Sequence, residues 1–403
     1  MGFSRYTEAD VKLFCTSKID KCFDDKWKEN AGVESTNYEI GSHFWLDLSD
    51  KSELKSDSER WLPIVEDSSL TFSGRSAIEL ALLDIKKEKR VSTAYLPSYC
   101  CESMVTPFIK NDFSVEFYDI DFQKSEFVYK IDENAKYDVA LVMSYFGLCS
   151  ENAHSIIEKL SKRGTIIIED ITHSLLSKRQ NSEKSDYLVA GLRKWFAIPT
   201  GGWIGKKKGK LHLFPYKDSE LYIRDKVEGM REKALYMVGE KIEKSRFLEL
   251  QNSFESFLDI HDCMLKIDTT SQQEIRKLSI SEIRCLRKSN ADQLYRGIQS
   301  ANIEGIQIPK LDLDNDTPLF LPVFFKRSQR ESLRRYLIDH QIYCPVHWPE
   351  VKGADPGVRD NELSIICDQR YSTKDMAHII DTIEAWKTNY INQGAIGECT
   401  GSM

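Results

Sequence analysis

The chain has 403 residues, enough for one large core and a second lobe, and its 41% hydrophobic and 30% charged residues are ordinary for a globular protein. With 56 basic against 63 acidic side chains the net charge is −7, which removes the electrostatic case for nucleic acid or an anionic membrane as the main partner. Ten cysteines without a C-x-x-C pair, no signal-like apolar region after Met1 and no apolar run of spanning length predict free thiols and a cytoplasmic protein.

Residues 1–62 read as a polar N-terminal segment, with a helical pattern in TEADVKLFCTSKIDKCF (7–23) and an extended stretch in HFWLDLSD (43–50). The texture changes at Thr71. GRSAIELALLDIKKE (74–88) opens with small residues and then places Ile78, Leu82 and Ile85 at helical spacing. Short apolar runs then alternate with helical ones: a strand in VSTAYLP (91–97), a helix in CESMVTPFIKN (101–111) and a strand in FSVEFYDID (113–121). YDVALVMSYFG (137–147), the helical ENAHSIIEKLSKRG (151–164) and TIIIED (165–170) continue the alternation. Continuous β-branched runs separated by helices predict an α/β fold with a mostly parallel central sheet flanked by helices. GKKKGKL (205–211) reads as a solvated turn, and IRDKVEGMREKALYMVGEKIEKSRFLEL (223–250) as one long amphipathic helical stretch. TPLFLPVFF (317–325), QRESLRRYLIDHQIY (329–343) and KDMAHIIDTIEAW (374–386) predict a smaller C-terminal α+β domain. The expected division is 1–62, a large domain over 63–245, a small one over 246–392, and a flexible tail over 393–403.

Three pieces carry chemistry. SGRSA (73–77) is a small-residue turn opening a helix, where backbone N–H groups and the helix dipole suit a phosphate. The same residues also read as a plain helix start capped by Ser73 or Ser76. IIIEDITHS (166–174) runs from apolar residues into Glu169 and Asp170 at the carboxyl end of a strand, where open α/β sheets hold their ligands. Either residue is a ligand-facing acid or an exposed strand-end acid, and His173 alone is a structural residue as readily as a functional one. GLRKWFAIPTGGW (191–203) sets Lys194 among apolar, aromatic, proline and glycine residues. Lys194 is either a surface residue beside an apolar strand or an amine held in an apolar pocket, where the neutral nucleophile is favoured over the ammonium; we expect the second. Pro199 and Gly201-Gly202 would turn the chain after it. A phosphate cradle, a buried acid and a reactive lysine are what pyridoxal phosphate requires. A dinucleotide-binding reading is disfavoured because no G-x-G-x-x-G follows the first strand.

In their order, GRSAIELAL, YLPSYCCESMVTPF, FYDID, YFG, IIEDITHS, LRKWFAIPTGG, IYCPVHWP and DQRYSTKDM resemble the DegT/DnrJ/StrS group of fold-type-I pyridoxal-phosphate enzymes, over about 73–386. The resemblance implies a homodimeric aminotransferase that moves an amino group from an amino acid, plausibly glutamate, to a nucleotide-linked keto-sugar. It gives Lys194 the Schiff base and proton shuttle, and Asp170 the pyridine nitrogen. Gly74, Arg75 and Ser76 would hold the phosphate, Thr172 one side of the ring, and Arg287 with Asn290 a motif that reaches the neighbouring subunit's cofactor. His347, Arg370 and Tyr371 are candidate substrate contacts, and the resemblance implies no metal. Three departures stand out. His173 replaces a usual glutamine, Cys101 stands where an aromatic residue commonly stacks on the ring, and Val189, Ala190 and Gly191 precede the lysine where a serine or threonine is common. These leave open a different pyridoxal-phosphate reaction (acyl transfer, lyase, dehydration) or a non-catalytic regulatory protein on the same fold.

Overall fold

A strand that is apolar on both faces needs cover on both, and Val139–Met143 and Ile166–Asp170 meet that condition with every residue buried. The computed structural model describes residues 38–47, 60–132, 134–148, 151–179, 181–348, 351 and 357–399. The helix expected over 7–23 lies outside the described residues, as does the part of the extended stretch beyond residue 47.

In chain order the first strand, β1 (Ile40–Gly41), stands apart from the main sheet. The sheet is built from β2 (Asp67–Thr71), β3 (Thr93–Pro97), β4 (Ser114–Gln123), β5 (Glu126–Lys130), β6 (Val139–Met143), β7 (Ile166–Asp170), β8 (Tyr187–Gly191) and β9 (Gly202–Lys206). Their spatial order is β2-β9-β8-β7-β6-β3-β4-β5, and only β9 and β5 run against the rest. The expected mostly parallel sheet is therefore the one observed. From β3 the chain winds outward to β4, then returns to the other side of β3 and winds through β6, β7 and β8. That reversal between β3 and β6 is the switch point at which open α/β sheets leave a crevice beyond their carboxyl ends. Helix α1 (Gly74–Glu88) packs on β8 and β9, α2 (Glu102–Lys110) on α1, and α3 (Glu151–Ser161) on β6 and β7. Burial of each interior isoleucine, such as Ile167 and Ile168, contributes ~2 kcal/mol to this arrangement.

The long amphipathic stretch is two helices, α4 (Arg224–Met237) and α5 (Lys244–Ile260). Gly239 breaks it, with φ +87 just past the last turn of α4, a conformation that glycine adopts without steric penalty. There follow α6 (Thr269–Arg276), α7 (Ile280–Ser300), β10 (Leu321–Phe324), α8 (Arg327–Asp339), β11 (Ile342–Tyr343), β12 (Glu362–Ile365) and α9 (Thr373–Cys399). Strands β10 and β12 pair antiparallel, while β11 pairs parallel with β1. Leu294, Leu321, Leu337, Ile365 and Ile379 build a second apolar cluster, which Ile40 and Trp45 join from the N-terminal side. Gly297 lets α7 and α9 approach closely: a Cβ there would lie 2.4 Å from Ile380 Cδ1. Helix α9 continues past Trp386 to Cys399, through residues where the sequence predicts a tail.

The basic run over 205–211 is only partly a solvated turn. Lys206 is the last residue of β9 and is buried, with Nζ 2.8 Å from Asp84 and 2.5 Å from Glu88. Among the described residues no helix is long and apolar enough to cross a membrane, and Cys100, Cys101, Cys263, Cys285, Cys344 and Cys367 are free thiols.

Candidate active site

A cavity of about 730 Å³ opens beyond the carboxyl ends of β6, β7 and β8 and is bordered by the start of α1. Met143, Asp170 and Gly191 are the last residues of those three strands and all line it, with Thr172, His173 and Lys194 just beyond. Gly74, Arg75 and Cys101 line it too, so most of the candidate cofactor set converges.

Strand alternation separates the two acids of β7. Asp170 is buried and lines the cavity, and its Oδ1 accepts the Thr172 N–H at 2.8 Å. Burial raises its carboxyl above the usual range, against the Thr172 hydrogen bonds and the nearby Lys194 charge. Glu169 instead accepts from the Ser182 N–H at 2.9 Å and the Ser185 hydroxyl at 2.5 Å. Burial lifts it to about 7. His173 is also buried, and its Nδ1 accepts the Phe146 N–H at 3.0 Å. Burial, with Lys194 adding to it, pushes the imidazole down to about 3. The ring is therefore neutral, its proton sits on Nε2, and it is a hydrogen-bond donor.

Lys194 ends a single 3-10 turn, Leu192–Lys194, directly after β8. The apolar enclosure expected of it is not what forms: Lys194 is exposed along the cavity wall, while Trp195 is buried in the core and Phe196, also buried, borders the cavity. The indole N–H of Trp195 donates to the Thr172 carbonyl at 2.6 Å, which ties the lysine turn to the segment after Asp170. Gly201, at φ +147, donates to the Phe72 carbonyl at 2.7 Å and returns the chain beside α1. A Cβ on Gly202 would lie 2.2 Å from the Ser73 carbonyl oxygen, so the close passage needs glycine there.

At the opposite wall Ser73 caps α1, accepting the Ser76 N–H at 3.1 Å. The Ser76 hydroxyl, expected to face a phosphate, is instead 2.7 Å from His261 Nε2. His261 Nδ1 donates to the Leu258 carbonyl at 2.8 Å, so Nε2 accepts from the serine. Arg75 is held by Asp259 at 2.8 Å and by the Leu258 carbonyl. Cys101 precedes α2, with Sγ 2.8 Å from Ser103 Oγ. Tyr99 stacks inward on Tyr145, and it is Trp348 that brings an aromatic face to the cavity, stacked 5.4 Å from the His173 ring.

Four further candidates hold the chain together. Asn290 does not reach the cavity in this chain: its amide donates to the Tyr371 carbonyl at 2.9 Å and to that of Asp368 at 3.2 Å. The Tyr371 hydroxyl accepts the Gly41 N–H at 2.7 Å and anchors β1. Arg370 borders the cavity but grips Asp368 through two bonds, 2.9 and 2.7 Å, and lies over the Phe44 and Trp45 rings. Arg287 lines the cavity and donates to Gln369 at 2.7 Å and to the Leu319 carbonyl at 2.9 Å.

No family model and no curated protein matches the sequence. Solved structures do match. The aminotransferase TlmJ from Streptoalloteichus hindustanus has a TM-score of 0.56 at 15% identity, over 80% of this chain and 86% of that one. PseC from Helicobacter pylori, an aminotransferase involved in the biosynthesis of pseudoaminic acid, has 0.56 at 13% over 87% and 100%. A DegT DnrJ EryC1 StrS aminotransferase from Brucella abortus has 0.55 at 13% over 96% and 100%. The chain has the fold-type-I aminotransferase fold. It is the fold that the order of the motifs implies.

On this aminotransferase fold a group of charges that sequence reasoning missed also borders the cavity. Glu255 of α5 is bonded to Arg193 and lies 3.2 Å from Lys226 of α4. Although Glu255 is half-buried, Arg193 and Lys226 hold it down to about 2, while burial, reinforced by Arg193, brings Lys226 down to about 7. Lys226 and Glu255 sit in a charged helical pattern whose sequence gives no sign of which members turn inward. Arg193 adjoins the lysine and was the one legible hint.

Proposed function

We propose that the protein is a pyridoxal-phosphate-dependent aminotransferase that carries an amino group from an amino-acid donor, glutamate, to a nucleotide-linked keto-sugar. The observation that carries this reading is the convergence of Asp170, His173 and Lys194 on one cavity at the ends of adjacent parallel strands. The donor set fits the cofactor: a buried carboxylate, a neutral imidazole N–H and a primary amine. So does the floor between α1 and β8, where a Cβ on Gly74 would lie 3.1 Å from Gly191 Cα.

When bound, pyridoxal phosphate supplies an aldehyde that captures amines and a ring that withdraws electrons. Lys194 would hold the aldehyde carbon and move protons at the reacting carbons. Asp170 would accept the ring N–H, its charged form stabilised by a cationic partner. His173 Nε2–H would donate to the ring oxygen in place of the usual glutamine. Thr172 would lie against the ring, and the backbone N–H groups at Gly74 and Arg75 would hold the phosphate. The sugar-aminotransferase neighbours support the acceptor class.

The working unit we infer is a homodimer. Tyr216, Leu221 and Ile260 stand 66%, 75% and 83% exposed, and Ile260 ends the same helix whose Leu258 and Asp259 border the cavity. The cofactor-loaded protein should lose its visible absorption with glutamate and regain it with a keto-sugar nucleotide. Failure of every amino acid to bleach it would contradict an aminotransferase.

A further inference from the structure

A buried chain of hydrogen bonds leads from the cavity wall into β12. Glu362 and Ser364 lie two residues apart and share a face of that strand. His347 Nδ1 is 2.8 Å from Ser364 Oγ, and Ser364 Oγ is bonded in turn to Glu362 Oε1. Glu362 Oε2 accepts the His347 backbone N–H at 2.8 Å, which fixes both ends of the chain. Glu362 and Ser364 are fully buried, and His347 lines the cavity.

A hydroxyl has one proton to donate, so the two ends are coupled. With Glu362 ionised, Ser364 donates to it and accepts from His347 Nδ1–H, leaving Nε2 bare as an acceptor. With Glu362 neutral, its O–H donates to Ser364, the Ser364 proton goes to Nδ1, and Nε2 carries the hydrogen.

We propose that His347, Ser364 and Glu362 form a proton relay that takes a proton from the Lys194 ammonium and deposits it on Glu362. The proton arrives at His347 Nε2, the Nδ1 proton passes to Ser364 Oγ, and the serine proton passes to the carboxylate. Lys194 ends as a neutral amine with its lone pair free, Glu362 as a neutral acid, and His347 and Ser364 unchanged in charge. The reverse transfer restores the start. In this relay His347 is the catalytic residue, and Ser364 and Glu362 are positioning residues.

The electrostatics favour storage at the far end. Burial, with the Lys194 charge and His173 adding to it, holds the His347 imidazolium well below its usual range. Burial lifts Glu362 to about 8, with Arg330 of α8 opposing. Tyr99 and Cys344 also face Glu362. The histidine therefore passes a proton on without keeping it.

The relay rests on the proposed cofactor chemistry, yet the coupling is measurable without cofactor. Long-range proton–nitrogen correlation spectra of histidine-labelled protein should show His347 changing from the Nε2–H to the Nδ1–H form as pH rises through about 8. The change should vanish in Glu362→Gln and Ser364→Ala and return in Ser364→Thr. The rate at which pyridoxal phosphate reacts with Lys194 should fall roughly 100-fold in Glu362→Gln while its affinity holds. One unchanging tautomer in the wild type, or a change that persists in Glu362→Gln, overturns the relay. If the protein binds no pyridoxal phosphate, the proposed function fails, and the wild-type tautomer still decides the relay.

Discussion

Glu169 and Asp170 are neighbours in sequence and have opposite surroundings, because successive residues of a strand face opposite sides. The sequence gives the pair without saying which faces the ligand. The structure turns Asp170 to the cavity and seals Glu169 beneath Ser182 and Ser185. The sealed acid has a consequence for stability. Its carboxyl stands at about 7 in the folded chain, against an ordinary value of ~4.3 in the unfolded one. Between these values the folded state keeps a proton that the unfolded state releases. The contribution is therefore full at acid pH and is lost as pH rises through 7, a change of about 4 kcal/mol. Glutamine can accept the same two bonds through its carbonyl oxygen. The melting temperature of Glu169→Gln should thus fall less than that of the wild type between about pH 5 and pH 8. An equal fall would show that Glu169 titrates normally.

At the scale of elements, the strands were the most legible part. Runs such as TIIIED and VALVM have one physical solution, a sheet covered on both faces, and they became β7 and β6. The glycine pair after Lys194 was legible too, since close backbone passage leaves few alternatives. Helical charge patterns were less so. The pattern over 223–250 satisfies an amphipathic helix throughout, and only the left-handed backbone at Gly239 divides it into α4 and α5. Lysines were misread in both directions. Lys206, read as solvated, is buried against Asp84 and Glu88, whereas Lys194, read as enclosed, is exposed. Local sequence reports the company a residue keeps along the chain, while burial depends on partners such as Asp84, 122 residues away. The Glu362–Ser364–His347 chain was illegible for the same reason: its members are ordinary residues until β12 sets them in line with the cavity.

Across the whole molecule, the site draws on most of the chain. Strand β7 supplies Asp170 and the turn after β8 supplies Lys194, α4 and α5 supply Lys226 and Glu255, and the C-terminal part supplies His347. The proposed dimer would cover the apolar side chains left bare at Tyr216, Leu221 and Ile260. Sedimentation should find two chains, and Leu221→Asp combined with Ile260→Asp should give one. A single chain in the wild type at micromolar concentration would contradict the dimer. The central claim is that Lys194 anchors pyridoxal phosphate in this cavity. Its most direct test is borohydride reduction of the cofactor-loaded protein followed by peptide mass mapping, beside Lys194→Ala. The account predicts a visible absorption band that bleaches on reduction, one cofactor mass added at Lys194, and neither in the variant. A mass added at another lysine, or a wild type that stays colourless with excess cofactor, would contradict it.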